Sequence, residues 1–512
     1  MIMKNTIKIW AFATAISVLG SCTDKFEEFN KDPYAVQTAD PSILIPTMID
    51  ALMYIQQNKS QSVEQMVGTL GGYFTLSNRW GGQNFDTFNA SDDWNSGVYS
   101  IIFTDVYSNF FKVEESTKGS GHYYAVANLV KAAAMMRVAD CYGPIPYSQV
   151  KNGKMTVAYD TNEEVYKNVI NDLENAATVL ASYAKDYPTS KPLGAKDLVY
   201  EGDYALWAKF ANSLALRAAM RSGDEEAVKA AVNHPAGLIM TNAENAMMDP
   251  GVQGNPYQIA AVNWGDLRAN ASIVDYMNGY EDPRRPAYFT KCAYSGNENK
   301  YIGMRSGQAA FDKSDVQGYS QPNYKSNSKL PMFVAAETQF LLAEAALKGW
   351  YTAGSAEELY KKGIELSMEQ YGVSADQASA YIADDTKKPA NHEKDPLGGG
   401  KLDYTRKSTI TVAWSNEATN EQKLERIITQ KWIACYPLGL EAWAEYRRTG
   451  YPDLAPAIDN LSNGAVDTNR GMRRLRFPYT EKDLNTANYN AAVQMIGGID
   501  NEGVDLFWTK KK

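Results

Sequence analysis

Residue types that usually carry catalysis are sparse in this sequence. It has three histidines, His122, His234 and His392, and none has a partner at metal-ligand spacing. No HExxH, Cys-x-x-Cys or G-x-S-x-G pattern occurs, so neither a zinc hydrolase nor a nucleophile elbow is signalled. Gly398-Gly399-Gly400-Lys401 imitates a phosphate loop but fails as one. Leu402 stands where Ser or Thr is needed, and Asp395 where the first Gly belongs. Adjacent carboxylates such as Asp92-Asp93, Glu114-Glu115 and Glu225-Glu226 do not share a helix face and read as solvated charge. Asp92 alone is placed to accept hydrogen bonds from sugar hydroxyls without doing chemistry.

Binding chemistry is better represented. Between Arg79 and Trp94 the sequence interleaves Trp80, Asn84 and Phe85 with Gly81 and Gly82. Aromatic faces stack on the apolar face of a pyranose, while Arg79 and Asn84 can hydrogen-bond hydroxyls or a peptide backbone. Arg79, Trp80, Asn84, Phe85 and Trp94 are therefore the first candidate ligand contacts. Trp94 also fits another reading, in which it and Tyr99 start and pack the next helix. A second candidate set, Trp264, Tyr319 and Tyr324, lies in a long loop region. Trp207, Trp432 and Trp443 sit on periodic stretches and read as core, and Arg447-Arg448 and Arg473-Arg474 as partners of an acidic surface.

The elements that must hold these residues are helical. Thr161-Asn162-Glu163-Glu164 and Ser355-Ala356-Glu357-Glu358 fit capping boxes, and Ser374-Ala375-Asp376-Gln377 starts a helix in the same way. Val165, Val169, Leu173, Ala176 and Leu180 then share one face, and Asp203 can cap a helix carrying Trp207, Phe210, Leu214 and Ala218. Helices are predicted over 42–57, 98–113, 124–142, 162–181, 204–221, 225–232, 332–349, 356–371 and 421–443, with another starting at Ser374. Segments 68–94, 235–331 and 386–411 are rich in Gly, Pro, Asn and aromatics and read as irregular, as does most of the chain after Trp443. The pairs 162–181 with 204–221 and 332–349 with 356–371 resemble tetratricopeptide-like hairpins, neither able to bury its apolar face alone. The expected fold is all-α: tetratricopeptide-like helix pairs packed with a loop-rich half.

The N-terminus sets the compartment. Lys4 and Lys8 precede an apolar run, Ile9 to Leu19, of signal-peptide length and too short to span a bilayer. It ends in Leu19-Gly20-Ser21-Cys22, a lipobox-like site at which Cys22 would be lipidated and become the mature N-terminus. Diacylglyceryl plus an amide-linked chain satisfies the need for more than one acyl chain in stable anchoring. The expected organisation is a signal peptide over 1–21, a lipidated acidic tether over 22–40 and a single domain over 41–512. The three other cysteines, Cys141, Cys292 and Cys435, are far apart with apolar or aromatic neighbours and read as small core residues, with at most one pair able to bridge. A net charge of −9 argues against a nucleic-acid surface, and 44% apolar residues can fill a large core.

In order along the chain, several segments resemble SusD/RagB-like nutrient-binding outer-membrane lipoproteins. They are Phe29-Asn30-Lys31-Asp32-Pro33, Tyr142-Gly143-Pro144-Ile145-Pro146-Tyr147, and the run from Trp207 to Arg217. Further on come Ala343 to Gly349, Gln430 to Ala434, Glu441 to Pro452, and Arg473-Arg474-Leu475-Arg476-Phe477-Pro478. The resemblance spans nearly the whole mature chain and implies a SusD-like α-helical fold. It further implies capture of an oligomeric nutrient, usually a glycan, by a non-catalytic surface protein that caps a SusC-like TonB-dependent transporter. No cofactor or metal is expected. The recognition loop of the family falls in the early region that holds Arg79 to Trp94. Two alternatives stay open: a RagB-like protein that takes oligopeptides, and a surface-anchored glycoside hydrolase.

Overall fold

The three helix starts with reciprocal caps form as their side chains dictate. In the computed structural model, which describes residues 40–154 and 156–510, the Thr161 hydroxyl accepts the Glu164 amide while the Glu164 carboxylate accepts the Thr161 amide. Ser355 with Glu358 and Ser374 with Gln377 repeat this arrangement, satisfying orphan amides that would otherwise stay unpaired. Asp203 accepts the amides of Ala205 and Leu206, as its position predicts. The signal peptide, Cys22 and the tether up to residue 39 lie outside the described residues.

In chain order the main helices are α1 (Pro41–Ile49), α2 (Asp92–Thr117), α3 (Gly121–Tyr142), α4 (Asn162–Asp186), α5 (Tyr204–Ser222), α6 (Glu225–Asn233) and α7 (Ala271–Gly279). They continue with α8 (Ala335–Leu347), α9 (Ala356–Gln370), α10 (Ala375–Ile382), α11 (Asn420–Ala434), α12 (Gly439–Thr449), α13 (Tyr479–Leu484) and α14 (Thr486–Met495). Four short strands complete the frame: β1 (Phe74–Leu76), β2 (Ala246–Met248), β3 (Leu267–Ala269) and β4 (Leu330–Phe333). They pair antiparallel, β1 with β3 and β2 with β4. The chain is thus predominantly helical, with no closed sheet among the described residues.

Both expected hairpins are present, as α4 against α5 and α8 against α9, and α2 packs on α3 in the same manner. Each buries the face its apolar spacing marks. Val165, Val169, Leu173, Ala176 and Leu180 are buried, opposite Trp207, Phe210, Leu214 and Ala218, at about 1.5–3 kcal/mol for each large side chain withdrawn from water. Trp207, Trp432 and Trp443 lie in the core, and their indole N–H groups reach the Asp197 carboxylate and the carbonyls of Gly71 and Met472. Cys141, Cys292 and Cys435 are buried and free.

Several boundaries differ from expectation for identifiable reasons. The 42–57 helix stops at Ile49, because the Asp50 carboxylate turns to accept the Ile55 amide. Residues 332–333 belong to β4, where Phe333 pairs with Ala246, and α8 starts at Ala335. The 421–443 helix divides into α11 and α12 around Pro437, which has no amide hydrogen to donate. The loop-rich 235–331 segment holds α7, β2 and β3, and the region after Trp443 holds α13 and α14.

Charge inside the fold ties the hairpins together. Arg217 of α5 grips Glu337 of α8 through two hydrogen bonds of 2.7 Å. Lys431 of α11 reaches Glu441 and Glu445 of α12 at 2.9 and 3.1 Å, and Arg448 forks onto Glu344 of α8 at 2.7 and 2.6 Å. Burial alone would raise the carboxyl groups of Glu441 and Glu445, but the surrounding Arg and Lys charges hold both below the ordinary carboxylate range. Of the arginine doublets, Arg448 pairs with buried carboxylates, while Arg473 and Arg474 meet Asp505 and Asp500 at the partly exposed edge. Arg447 and Arg474 are fully buried, the first over the Trp443 ring at 3.5 Å and the second against Asp500 at 2.5 Å.

Candidate functional site

The geometry of the candidate site follows from one short ladder. Leu76 of β1 stands opposite Leu267 of β3, so the segment leaving β1 and the segment entering β3 emerge at the same end. The first carries Arg79 and Trp80, the second Trp264. Two hydrogen bonds extend the pairing beyond the strands: Ser77 donates its amide to the Asp266 carbonyl (2.9 Å) and its hydroxyl to the Gly265 carbonyl (2.9 Å). The Asp266 carboxylate is the hub of this rim. It accepts the Asn78 amide group at 3.0 Å and pairs with Lys313 at 2.5 Å. The two candidate regions, far apart in sequence, are thus anchored to one another.

Trp80 sits at the tip. Its backbone is left-handed, with φ of 39°, and Gly81 and Gly82 follow at 73° and 90°. An L-residue rarely adopts this conformation, and such strain gathers at binding sites. The turn is pinned from both sides: Asn78 Oδ1 accepts the Trp80 amide, and the Asn89 side chain donates to the Gly82 carbonyl at 2.9 Å. Trp94, in the first turn of α2 behind the Ser91 cap, meets Trp80 edge to face with ring centroids 6.0 Å apart. Both rings are half-buried. The expected ligand role for Trp94 and its packing role are therefore compatible. Arg79 is half-buried too and donates Nη1 to the Phe311 carbonyl at 3.4 Å, while its Nε has no partner among the described residues. Phe311, a half-buried aromatic on the opposing loop, was not marked by the sequence, because no local pattern distinguishes it.

Two members of the first set are withdrawn from the surface. Asn84 is buried and accepts both the amide and the hydroxyl of Thr87 at 3.1 Å, holding the turn that follows. Phe85 is fully buried in the core and presents no face to a ligand. In the second set, Trp264 is half-buried beside Gly265. Tyr324 lies with its ring stacked on Tyr436 (centroids 6.0 Å, planes 5° apart). Tyr319 is buried and donates its hydroxyl to Asp395 at 2.6 Å. Arg79, Trp80, Trp94, Trp264 and Tyr324 are therefore only partly buried and keep surface access, while Asn84, Phe85 and Tyr319 act as supports.

Tyr319 opens a second network. Asp395 also lies 3.1 Å from His392 Nε2, whose Nδ1 is 3.2 Å from Asp275, and Arg406 pairs with Asp275 at 3.1 Å. Burial works against a charged imidazole here, but hydrogen bonds to and the charge of Asp275 and Asp395 outweigh it and bring its pKa up to about 9. The Gly398–Gly400 run is part of this structure, its turn closed on Asp395, which accepts the amides of Leu397 and Gly398. Beside the network runs a polar groove of about 980 Å³, with Asn278, Arg285, Asn391 and Lys394 among its walls.

A family model for SusD-like proteins, described as SusD and RagB outer membrane lipoprotein, matches residues 25–509. A SusD-like protein from Bacteroides thetaiotaomicron superposes with a TM-score of 0.88 at 38% identity, covering 92% of this chain and 99% of its own. A SusD homologue from Bacteroides uniformis gives 0.85 at 38% identity, with the same coverage. A chitin-binding SusD homologue from Flavobacterium johnsoniae gives 0.85 at 34% identity, again over 92% and 99%. Comparison with curated proteins gives no match. With the family model spanning almost its full length and its helix pairs superposing on solved members, the chain belongs to the SusD-like family of outer-membrane lipoproteins.

Proposed function

We propose that this chain is a lipid-anchored protein of the bacterial surface that holds an oligosaccharide over a SusC-like TonB-dependent transporter without cleaving it. The observation that carries the reading is the Trp80–Trp94 pair, strained into place at a rim beside Arg79. Aromatic faces with a nearby guanidinium suit a pyranose, which is apolar on its C–H face and polar at its edge. The chitin-binding activity named for the Flavobacterium relative supports the same ligand class. The lipobox at Cys22 supports anchoring by acyl chains, and among the described residues no helix is long and apolar enough to cross a membrane.

An oligopeptide ligand is the second reading, favoured by the polar groove beside His392, whose amide and charged walls suit an extended backbone better than a sugar ring. Calorimetric titration with panels of oligosaccharides and oligopeptides separates the two. Saccharide binding supports the first, and peptide binding without saccharide binding replaces it with the second.

A further inference from the structure

Along α2, Tyr99, Phe103, Tyr107 and Phe111 recur every four residues, and successive ring centroids are 4.2, 5.5 and 5.5 Å apart. That spacing stacks side chains one above another on a helix. The far end of the ladder opens on a groove of about 540 Å³ between α2, α3, α4 and the loop after Pro146, with Tyr107, Phe111, Tyr124 and Tyr147 in its walls. Its volume is that of a small-ligand site. Trp94 and Phe111 stand about 25 Å apart along the helix axis, so this groove is separate from the rim at Trp80.

Two features point to a ligand. Tyr107 is 7% exposed, and its hydroxyl has no hydrogen-bond partner among the described residues. A buried hydroxyl without a partner is costly in a finished fold and calls for one. Burial, together with the Asp172 and Asp160 carboxylates, pushes the Tyr107 phenol up, so the group stays a neutral donor. The groove is also balanced in charge. Lys131 pairs with Asp172 at 3.0 Å and lies 4.9 Å from the Tyr147 ring centroid, and Glu114 and Lys151 in the same walls add one charge of each sign, so no net charge selects an ionic ligand. Asn168 and Asn171 of α4 add neutral amides at the wall, each both donor and acceptor.

From this we infer that the groove is a second saccharide site. It takes one or two neutral pyranose units, with Tyr107 and the Asn168 and Asn171 amides on the hydroxyls and the ring faces of Phe111 and Tyr124 against the C–H face. The inference rests on the saccharide reading for its ligand class, and on separate residues for its place.

The test uses the processed chain carrying Cys22→Ser, which takes no lipid. Crystals are soaked with di- and tetrasaccharides of glucose, N-acetylglucosamine, mannose, galactose and xylose, and binding is titrated in parallel. A sugar ring against Phe111 or Tyr124 is expected, with Tyr107→Phe and Asn171→Ala weakening that site about threefold to tenfold. Tyr107→Phe is expected to melt no lower than the parent, since it removes an unpartnered group. Sugar at the Trp80 rim alone overturns the inference and leaves the proposed function standing. Sugar in the groove alone supports the inference and the saccharide class, and removes the Trp80 rim as the place of capture. Sugar at neither place overturns both.

Discussion

The rings of Trp80 and Trp94 meet edge to face at 6.0 Å, with their planes 66° apart. One ring rides on a left-handed turn and the other on the first turn of a long helix, so the tip is braced by a rigid element.

That arrangement separates binding from stability at Trp80. Glycine adopts a φ of 39° without strain, and the Trp80 ring is only half-buried. Trp80→Gly is expected to change the unfolding free energy by less than about 1 kcal/mol, against the 3–5 kcal/mol typical for truncating a core tryptophan. Urea unfolding of the two proteins measures this.

His392 sets a pH dependence. Its folded pKa of about 9 lies above the ordinary value of 6.5, so the stability it contributes is complete below about pH 6.5. It is lost as pH rises through about 9. The full span corresponds to roughly 3 kcal/mol. Urea midpoints between pH 6 and 9.5 should fall in the parent and fall much less in His392→Gln.

Glu337 is the acceptor for Arg217 inside the core, and both are buried. Removing one partner of such a pair leaves a buried charge uncompensated. Glu337→Gln is expected to cost about 3 kcal/mol or more, measured by chemical unfolding, whereas exposed pairs such as Lys362 with Glu365 should contribute under about 1 kcal/mol.

Gly439 begins α12 where the helix passes the turn before β1. A Cβ there would stand 2.5 Å from both the Cα and the carbonyl oxygen of Gly68, and these are backbone atoms, which shift less readily than the end of a flexible side chain. Gly439→Ala is expected to destabilise by about 1–3 kcal/mol. Because the turn leads directly into the Trp80 rim, saccharide affinity should weaken with it in a binding titration.

What the sequence made legible was local. Reciprocal caps at Thr161, Ser355 and Ser374, and the four-residue periodicity of α4 and α5, are decided within a turn or two and were readable. The break at Pro437 was missed because apolar periodicity runs through it, and α7 was missed because its nine residues sit among glycines and prolines. At the site, Trp80 and Trp94 were readable as aromatics in an irregular stretch. The burial of Phe85, and the roles of Asp266 and Phe311, depend on a strand pairing across about 190 residues, which no local pattern encodes.

The most direct test of saccharide capture titrates the unlipidated chain with the oligosaccharide panel and analyses every mixture for products, with Trp80→Gly alongside. The account predicts saturable binding of at least one saccharide, recovered intact, weakened about tenfold or more by the substitution. Cleaved saccharide, or binding that Trp80→Gly leaves unchanged, would contradict it.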